Sequence, residues 1–273
     1  YAEAVAIKDG KIVFVGSKAD AEKLHSDSTA MNDLKGKTLV PGFFYCHVHF
    51  AGLGPQAITA NLLASPDGNC NSIDDLVQIL KDWHTKNGTD KTKGWIFGMG
   101  FDDAVLKEGR FPTKEDLDKV SKDIPVCVMH ISGHFCSVNS KGLELSKITA
   151  ATKNPPGGVI RRMPNSKEPN GVLEEMAAIP VFFPILTPAP SMVDYFFDKG
   201  QEMAASYGYT TVQEGKAMEN HEQFAAYALK GKFKIDVVSY VDYSTPKYLH
   251  TDWNKKEYNN HYRIGGVKIT LDG

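Results

Sequence analysis

Eight residues after Pro41-Gly42 leave the chain few choices. Phe43-Phe44-Tyr45-Cys46-His47-Val48-His49-Phe50 is apolar at almost every position and is bounded by turn residues. A run of that length and uniformity suits a strand buried on both faces, as in a parallel sheet, rather than a half-exposed strand. Parallel strands need crossover connections, and the later sequence supplies them. Tyr209–Gln213 reads as a β-branched strand, His221–Leu229 as a helix, Phe233–Val241 as a strand and Gly266–Leu271 as another. That alternation argues for an α/β fold built from parallel βαβ units.

The residues before Pro41 read differently. Ala4–Lys8 and Lys11–Val15 flank Asp9-Gly10, the signal of a two-residue hairpin turn. Ala19–Leu24 is predicted to form a short helix capped by Ser17, and Thr38–Val40 a further short strand. This is too little apolar material for an independent core, so residues 1–40 are expected to be a small β subdomain packed on something larger. Between about 51 and 206 lies a long mixed region. Helices are predicted at Ile73–Trp83 (capped by Ser72), Lys114–Val120, Lys141–Leu145 and Asp194–Ser206, and strands at Trp95–Met99 and Pro125–His130. Val159–Arg162 and Gly171–Leu173 suggest a hairpin around Pro164–Asn170.

The chemistry starts at His47-Val48-His49. Side chains at i and i+2 of a strand share a face, so both imidazoles project together. Paired neutral imidazoles on a rigid edge are good ligands for zinc or a similar metal. A bare H-x-H more often marks two half-buried histidines satisfied by backbone hydrogen bonds. Here it sits near the C-terminal end of a buried strand, where barrel active sites are built. Lys268 lies between Val267 and Ile269 in an apolar strand, where a buried ammonium would be costly. Its stem could also be buried with the head reaching water.

Several segments together carry a resemblance. Val40-Pro41-Gly42-Phe43-Phe44-Tyr45-Cys46-His47-Val48-His49 is similar to the P-G-F-x-D-x-H-x-H first strand of the amidohydrolase superfamily. Asp9–Gly16 resembles the D-G-x-I-x-x-V-G hairpin of that superfamily's small β-sandwich. Gly94–Asp102, Leu117-Asp118, Pro125-Val126, Ser132-Gly133-His134, Asn139-Ser140, Gly171–Glu175, Gly208–Glu214 and Gly266–Gly273 point to the YtcJ-like branch, amidohydrolase family 3. The resemblance implies a partial (β/α)8 barrel of about four strands over residues 41–273, with a long α+β insertion at about 51–206 and an N-terminal β-sandwich subdomain. It implies His47, His49 and a carboxylated Lys268 as ligands of one or two divalent metal ions, zinc first. It also suggests pocket positions for His134, Trp95, Asp102 and Glu214. Alone, His134 reads as structural, Trp95 and Asp102 as packing and turn residues, and Glu214 as a metal-facing residue or a cap. One departure is visible: Tyr45 stands where the family has an aspartate, which could loosen the groups that orient the histidines.

The implied reaction is attack of a metal-activated water on an amide or other non-peptide C–N bond. The family's acid–base carboxylate on strand eight and its later histidines lie beyond strand four, where this sequence stops. The expectation is therefore a fragment with little turnover alone, completed by a C-terminal half or paired in a homodimer. An inactive, amidohydrolase-derived binding or regulatory module is the alternative. The formal charge of −2 and the absence of a Lys/Arg block give no electrostatic support to nucleic-acid binding. The apolar stretch Ala177–Leu186 is broken by Pro180 and Pro184, and nothing approaches the roughly 20 residues of a membrane span. A cytoplasmic location is expected, with export left open because the first residue is Tyr1. Cys46, Cys70, Cys127 and Cys136 show no C-x-x-C spacing and read as reduced, buried thiols. His84, His221, His250 and His261 read as surface residues.

Overall fold

A computed structural model describes residues 1–217 and 219–271. Asp272 and Gly273, the end of the segment matched to the fourth strand, lie outside the described residues. The chain divides into two compact units, Tyr1–Pro41 and Gly42–Gly273.

In the first unit β1 (Ala4–Lys8) and β2 (Lys11–Gly16) pair antiparallel. Asp9 and Gly10 both take positive φ, 52° and 73°. Two such residues let the turn follow the right-handed twist of the strands it joins. Helix α1 (Lys18–Glu22) starts where the Ser17 hydroxyl accepts the Asp20 N–H. The expected sandwich is instead this single two-stranded ribbon among the described residues, and Thr38–Val40 carries no ladder. No residue of the unit is fully buried, so it has no core of its own.

The second unit runs β3 (Phe43–Val48), α2 (Phe50–Ile58), β4 (Ala60–Asn61), α3 (Ile73–Asn87), β5 (Ile96–Phe101), α4 (Lys114–Asp118), β6 (Val126–His130), β7 (Phe135–Val138) and α5 (Ser140–Leu145). It continues with β8 (Gly158–Arg162), β9 (Pro169–Glu175), α6 (Ile179–Leu186), α7 (Val193–Ser206), β10 (Tyr209–Glu214), α8 (Asn220–Leu229), β11 (Asp236–Asp242) and β12 (Tyr262–Lys268).

Two sheets organise these elements. The first is four-stranded and all parallel, in the order β12-β11-β10-β3. Chain order is spatial order, as βαβ crossovers of one hand produce. Its apolar core joins Phe50 of α2, Phe197 of α7 and Phe224 of α8 to Val212, Val237 and Tyr262 of the strands. Helices α2 and α7 cross where neither carries a side chain. A Cβ on Gly54 would sit 2.3 Å from the Phe196 carbonyl oxygen, and one on Gly200 3.1 Å from the Gly54 nitrogen.

The second sheet has six strands in the order β4-β5-β6-β7-β9-β8 and is built within the predicted insertion. β4, β5 and β6 are parallel, whereas β7, β9 and β8 are antiparallel. Helix α3 covers one face with Ile73, Leu76 and Leu80, and its first turn is capped by the Ser72 hydroxyl on the Asp75 N–H. A second cluster holds Phe97, Cys127, Cys136 and Leu173 against Phe182 and Ile185 of α6.

Three expectations are corrected. β3 is an edge strand, and Phe43, Phe44 and Tyr45 are exposed; only Val48 of the strand is buried. The fourth parallel strand begins at Tyr262 and ends at Lys268, so Lys268 closes the strand rather than sitting in its middle. Cys46 is exposed, unlike the other three cysteines. The stretch near Ala177–Leu186, to which the sequence assigned no element, is helical: Pro180 falls in the first turn, where its missing N–H costs nothing, and Pro184 lies inside the helix. Among the described residues no helix is long and apolar enough to cross a membrane.

Candidate metal centre

His47 and His49 lie where β3 meets α2, at the C-terminal edge of the parallel sheet. Their rings are 5.7 Å apart, close to perpendicular. Both residues are exposed. Glu214 closes β10, the neighbouring strand, and is 1% exposed. One of its oxygens lies 3.3 Å from His49 Nδ1 and accepts the Lys216 N–H at 3.0 Å; the other accepts the Ala51 N–H at 3.1 Å. Both carboxylate oxygens are therefore committed. Glu214 thus holds the His49 ring and the start of α2.

Charge follows the same geometry. The Glu214 hydrogen bond raises the His49 pKa above its ordinary value, against burial and against the positive charges of Lys268 and Lys216. Lys268 ends β12 directly opposite Asp242, the last residue of β11. Asp242 is 3% exposed. Its Oδ1 accepts the Ser244 N–H and hydroxyl, which hold its pKa below the usual carboxylate range. Its Oδ2 is buried and makes no hydrogen bond, although the Lys216 ammonium stands 3.3 Å away.

These residues fit a divalent cation. With Nδ1 held by a carboxylate, His49 has Nε2 free for a metal, the arrangement that fixes a ligand's tautomer. His47 packs on Gly215, where a Cβ would come within 2.5 Å of the imidazole Cε1, so only glycine leaves the ring its place. Asp242 adds a buried carboxylate whose Oδ2 is paired only with the Lys216 ammonium at 3.3 Å. Imidazole, carboxylate and, after carboxylation, carbamate form an N/O donor set suited to zinc and its neighbours.

The remaining predicted residues go elsewhere. Trp95 lines a 470 Å³ hollow of the insertion with Leu145, Ile160 and Val181. His134 is an exposed partner of Glu175, with Nδ1 at 3.0 Å from the carboxylate. Asp102 faces His130 across 3.7 Å, between Nε2 and Oδ1. His221 is buried, not superficial: its Nδ1 is 2.9 Å from the Tyr262 hydroxyl and its ring lies 4.5 Å from that of Tyr248. Sequence reading missed Asp242 and His130. Each ends a parallel strand, and that placement was the available signal.

Residues 31–273 match the model of a family described as the amidohydrolase family. The chain is 33% identical over 179 residues to the Arabidopsis thaliana protein LONG AFTER FAR-RED 3, covering 65% of this chain and 29% of that protein. It is 32% identical over 176 residues to the putative amidohydrolase YtcJ of Bacillus subtilis, covering 64% of this chain and 32% of that one. The chain thus matches about a third of the length of these curated relatives. An uncharacterized metal-dependent hydrolase from Pyrococcus furiosus has the same fold over 98% of this chain and 52% of its own, with a TM-score of 0.63 at 24% identity.

Proposed function

This chain belongs to the amidohydrolase family, and from that membership we propose that it carries the metal-binding part of a hydrolase acting on an amide or other non-peptide C–N bond. Its four parallel strands in sequential order support reading them as the first four of a (β/α)8 barrel. The exposed edge strand β3 is then covered by further barrel strands, from additional chain or from a second copy. The substrate is a small molecule.

One or two divalent ions, zinc first, supply a polarised carbonyl and a water of lowered pKa when bound. His47 and His49 hold the ion. Glu214 fixes the His49 ring, and its own oxygens stay occupied by backbone N–H groups and do not compete for the metal. Lys268, carboxylated, becomes an anion beside His49 instead of a second cation, which removes the repulsion that lowers the His49 pKa. Asp242 lies beside it, with Oδ2 paired to the Lys216 ammonium.

The carboxylate clamp on His49 is the observation that carries this reading. A buried glutamate with both oxygens bonded, aimed at one nitrogen of an exposed histidine, orients that ring for use at the other. Assembled with the remaining barrel strands, the purified protein should contain metal and hydrolyse some of a panel of N-acyl amines and carbamates, whereas these residues alone should bind metal with little turnover. A chelator and His49→Ala should each abolish that turnover. Turnover that survives both would contradict the reading.

A second reading rests on Tyr45, whose ring stacks on Tyr209 with centroids 4.7 Å apart at the position of the family's aspartate. It makes the chain a binding or regulatory relative that has lost catalysis. Metal bound at His47 and His49 without hydrolysis of any panel member would favour it.

A further inference from the structure

A second cluster of metal-ligating side chains stands in the six-stranded sheet, outside the centre described above. Asp102 and Asp103 follow β5, and His130 ends β6, its parallel neighbour. One ligand atom from each lies within 4.8 Å of the others, the only such group of three among the described residues. The carboxyl ends of adjacent parallel strands are where α/β sheets gather ligands.

His130 makes this more than a pair of surface aspartates. Its side chain is 12% exposed, and the rings of Phe101, Phe111 and Phe135 stand 5.3, 5.5 and 5.6 Å from its own. Its Nε2 is fully buried and makes no hydrogen bond, although Asp103 Oδ1 is 3.2 Å away and Asp102 Oδ1 3.7 Å. Both contacts are within ion-pair range, but the nearer is misaligned for an N–H donor and the other too long for a hydrogen bond. A buried nitrogen without a partner calls for an occupant. Ser132 serves Nδ1 in either tautomer: its N–H donates to Nδ1 at 3.1 Å, and its hydroxyl, 2.8 Å away, can accept from an Nδ1–H. With the Ser132 N–H on Nδ1, a neutral ring carries its proton on Nε2, facing the aspartates; an ion bound there displaces that proton, and the Ser132 hydroxyl can then accept an Nδ1–H.

The geometry points to a divalent-cation site formed by Asp102, Asp103 and His130 Nε2, separate from the His47/His49 centre. Two carboxylates and one imidazole suit manganese, iron(II), cobalt or zinc. Asp102 Oδ1 also accepts the Ala104 N–H, which holds that carboxylate in place. The aspartates are each 33% exposed, so water completes the coordination from the open side. The three phenylalanines exclude water behind the imidazole and strengthen its interaction with an ion.

Manganese or zinc chloride titrated into the intact chain carrying His47→Ala and His49→Ala isolates this site. One ion per chain is expected, with affinity falling at least tenfold on adding Asp103→Asn and again with His130→Gln in its place. Circular dichroism and a thermal melt establish that each variant is folded. In the metal-bound form, NMR should show His130 with its proton on Nδ1. No ion bound by the folded double variant, or an ion indifferent to both Asp103→Asn and His130→Gln, would overturn the site. So would His130 ring resonances that added metal leaves unchanged. Because the His47/His49 ligands are removed at the outset, either result leaves the proposed hydrolase centre to be judged by its own assay.

Discussion

The two histidine clusters are built on the same plan and finished in opposite ways. Both stand at the C-terminal edge of parallel strands, and both bring imidazole next to carboxylate. At the edge of the four-stranded sheet His49 is exposed, and its partner Glu214 is buried and saturated. In the six-stranded sheet His130 is the buried member, walled by phenylalanines, and its aspartates face water. Burying the carboxylate leaves an imidazole edge open to substrate. Burying the imidazole leaves a socket walled behind the ring and open only on the aspartate side, better suited to holding an ion than to turning over a ligand. On the proposed function, one edge geometry yields a reactive station or a static one, according to which partner is desolvated.

The sharpest way to break this contrast is to remove the open cluster. His47→Ala with His49→Ala should reduce hydrolysis to background while circular dichroism stays unchanged; residual metal-dependent turnover would dissolve the distinction. Glu214→Gln removes the charge but keeps the shape, and should weaken metal binding or activity by about 10–100-fold. A variant as active as the parent would show that the clamp on His49 is ornamental. Gly54→Ala tests the scaffold under the open cluster. The new methyl meets the Phe196 carbonyl at the α2–α7 crossing, and a loss of about 1–3 kcal/mol or more is expected in denaturant melts. An unchanged midpoint would mean that the helices part without cost.

Acid should separate the two regions as well. Burial holds the His221 pKa below its ordinary value of 6.5. The unfolded chain therefore takes up that proton first, and stability of the four-stranded region should fall as pH drops through 6.5. In the other region burial alone would raise the Asp116 pKa, but Arg110 at 2.6 Å and the Thr113 N–H hold it below 3.8. That contribution is present above 3.8 and is lost only as pH falls through the lowered value. Amide exchange at pH 7.5 and 5.5 should thus show α8 and β12 loosening before α4. Equal loosening of both, or its persistence in a folded His221→Phe variant, would count against this.

Much of the scaffold was legible because local chemistry and tertiary context agree there. Asp9-Gly10 fixed a hairpin, Ser72 and Ser17 capped the helices they precede, and β-branched residues marked β10. The failures have local causes. α6 hid behind Pro180, harmless in a first turn, and Pro184, which the helix tolerates in its interior. β12 was placed some residues late because the apolar run continues past Lys268 after pairing has ended. β3 read as doubly buried because apolar character reports what a strand prefers to face, not what covers it. Of the site, His47 and His49 stood out through their i, i+2 spacing. Glu214 was named but its role as a clamp was not, and Asp242 and His130 passed unremarked. Their significance comes from neighbours distant in sequence, 26 residues away for Lys268 and 28 for Asp102, brought alongside by strand pairing.

The most direct measurement is a crystal structure of the metal-loaded protein with anomalous data collected at the absorption edge of the added ion. The account predicts a peak bonded to His49 Nε2 and His47, with Glu214 still on His49 Nδ1. A peak elsewhere, or none beside these histidines at saturating metal, would contradict it.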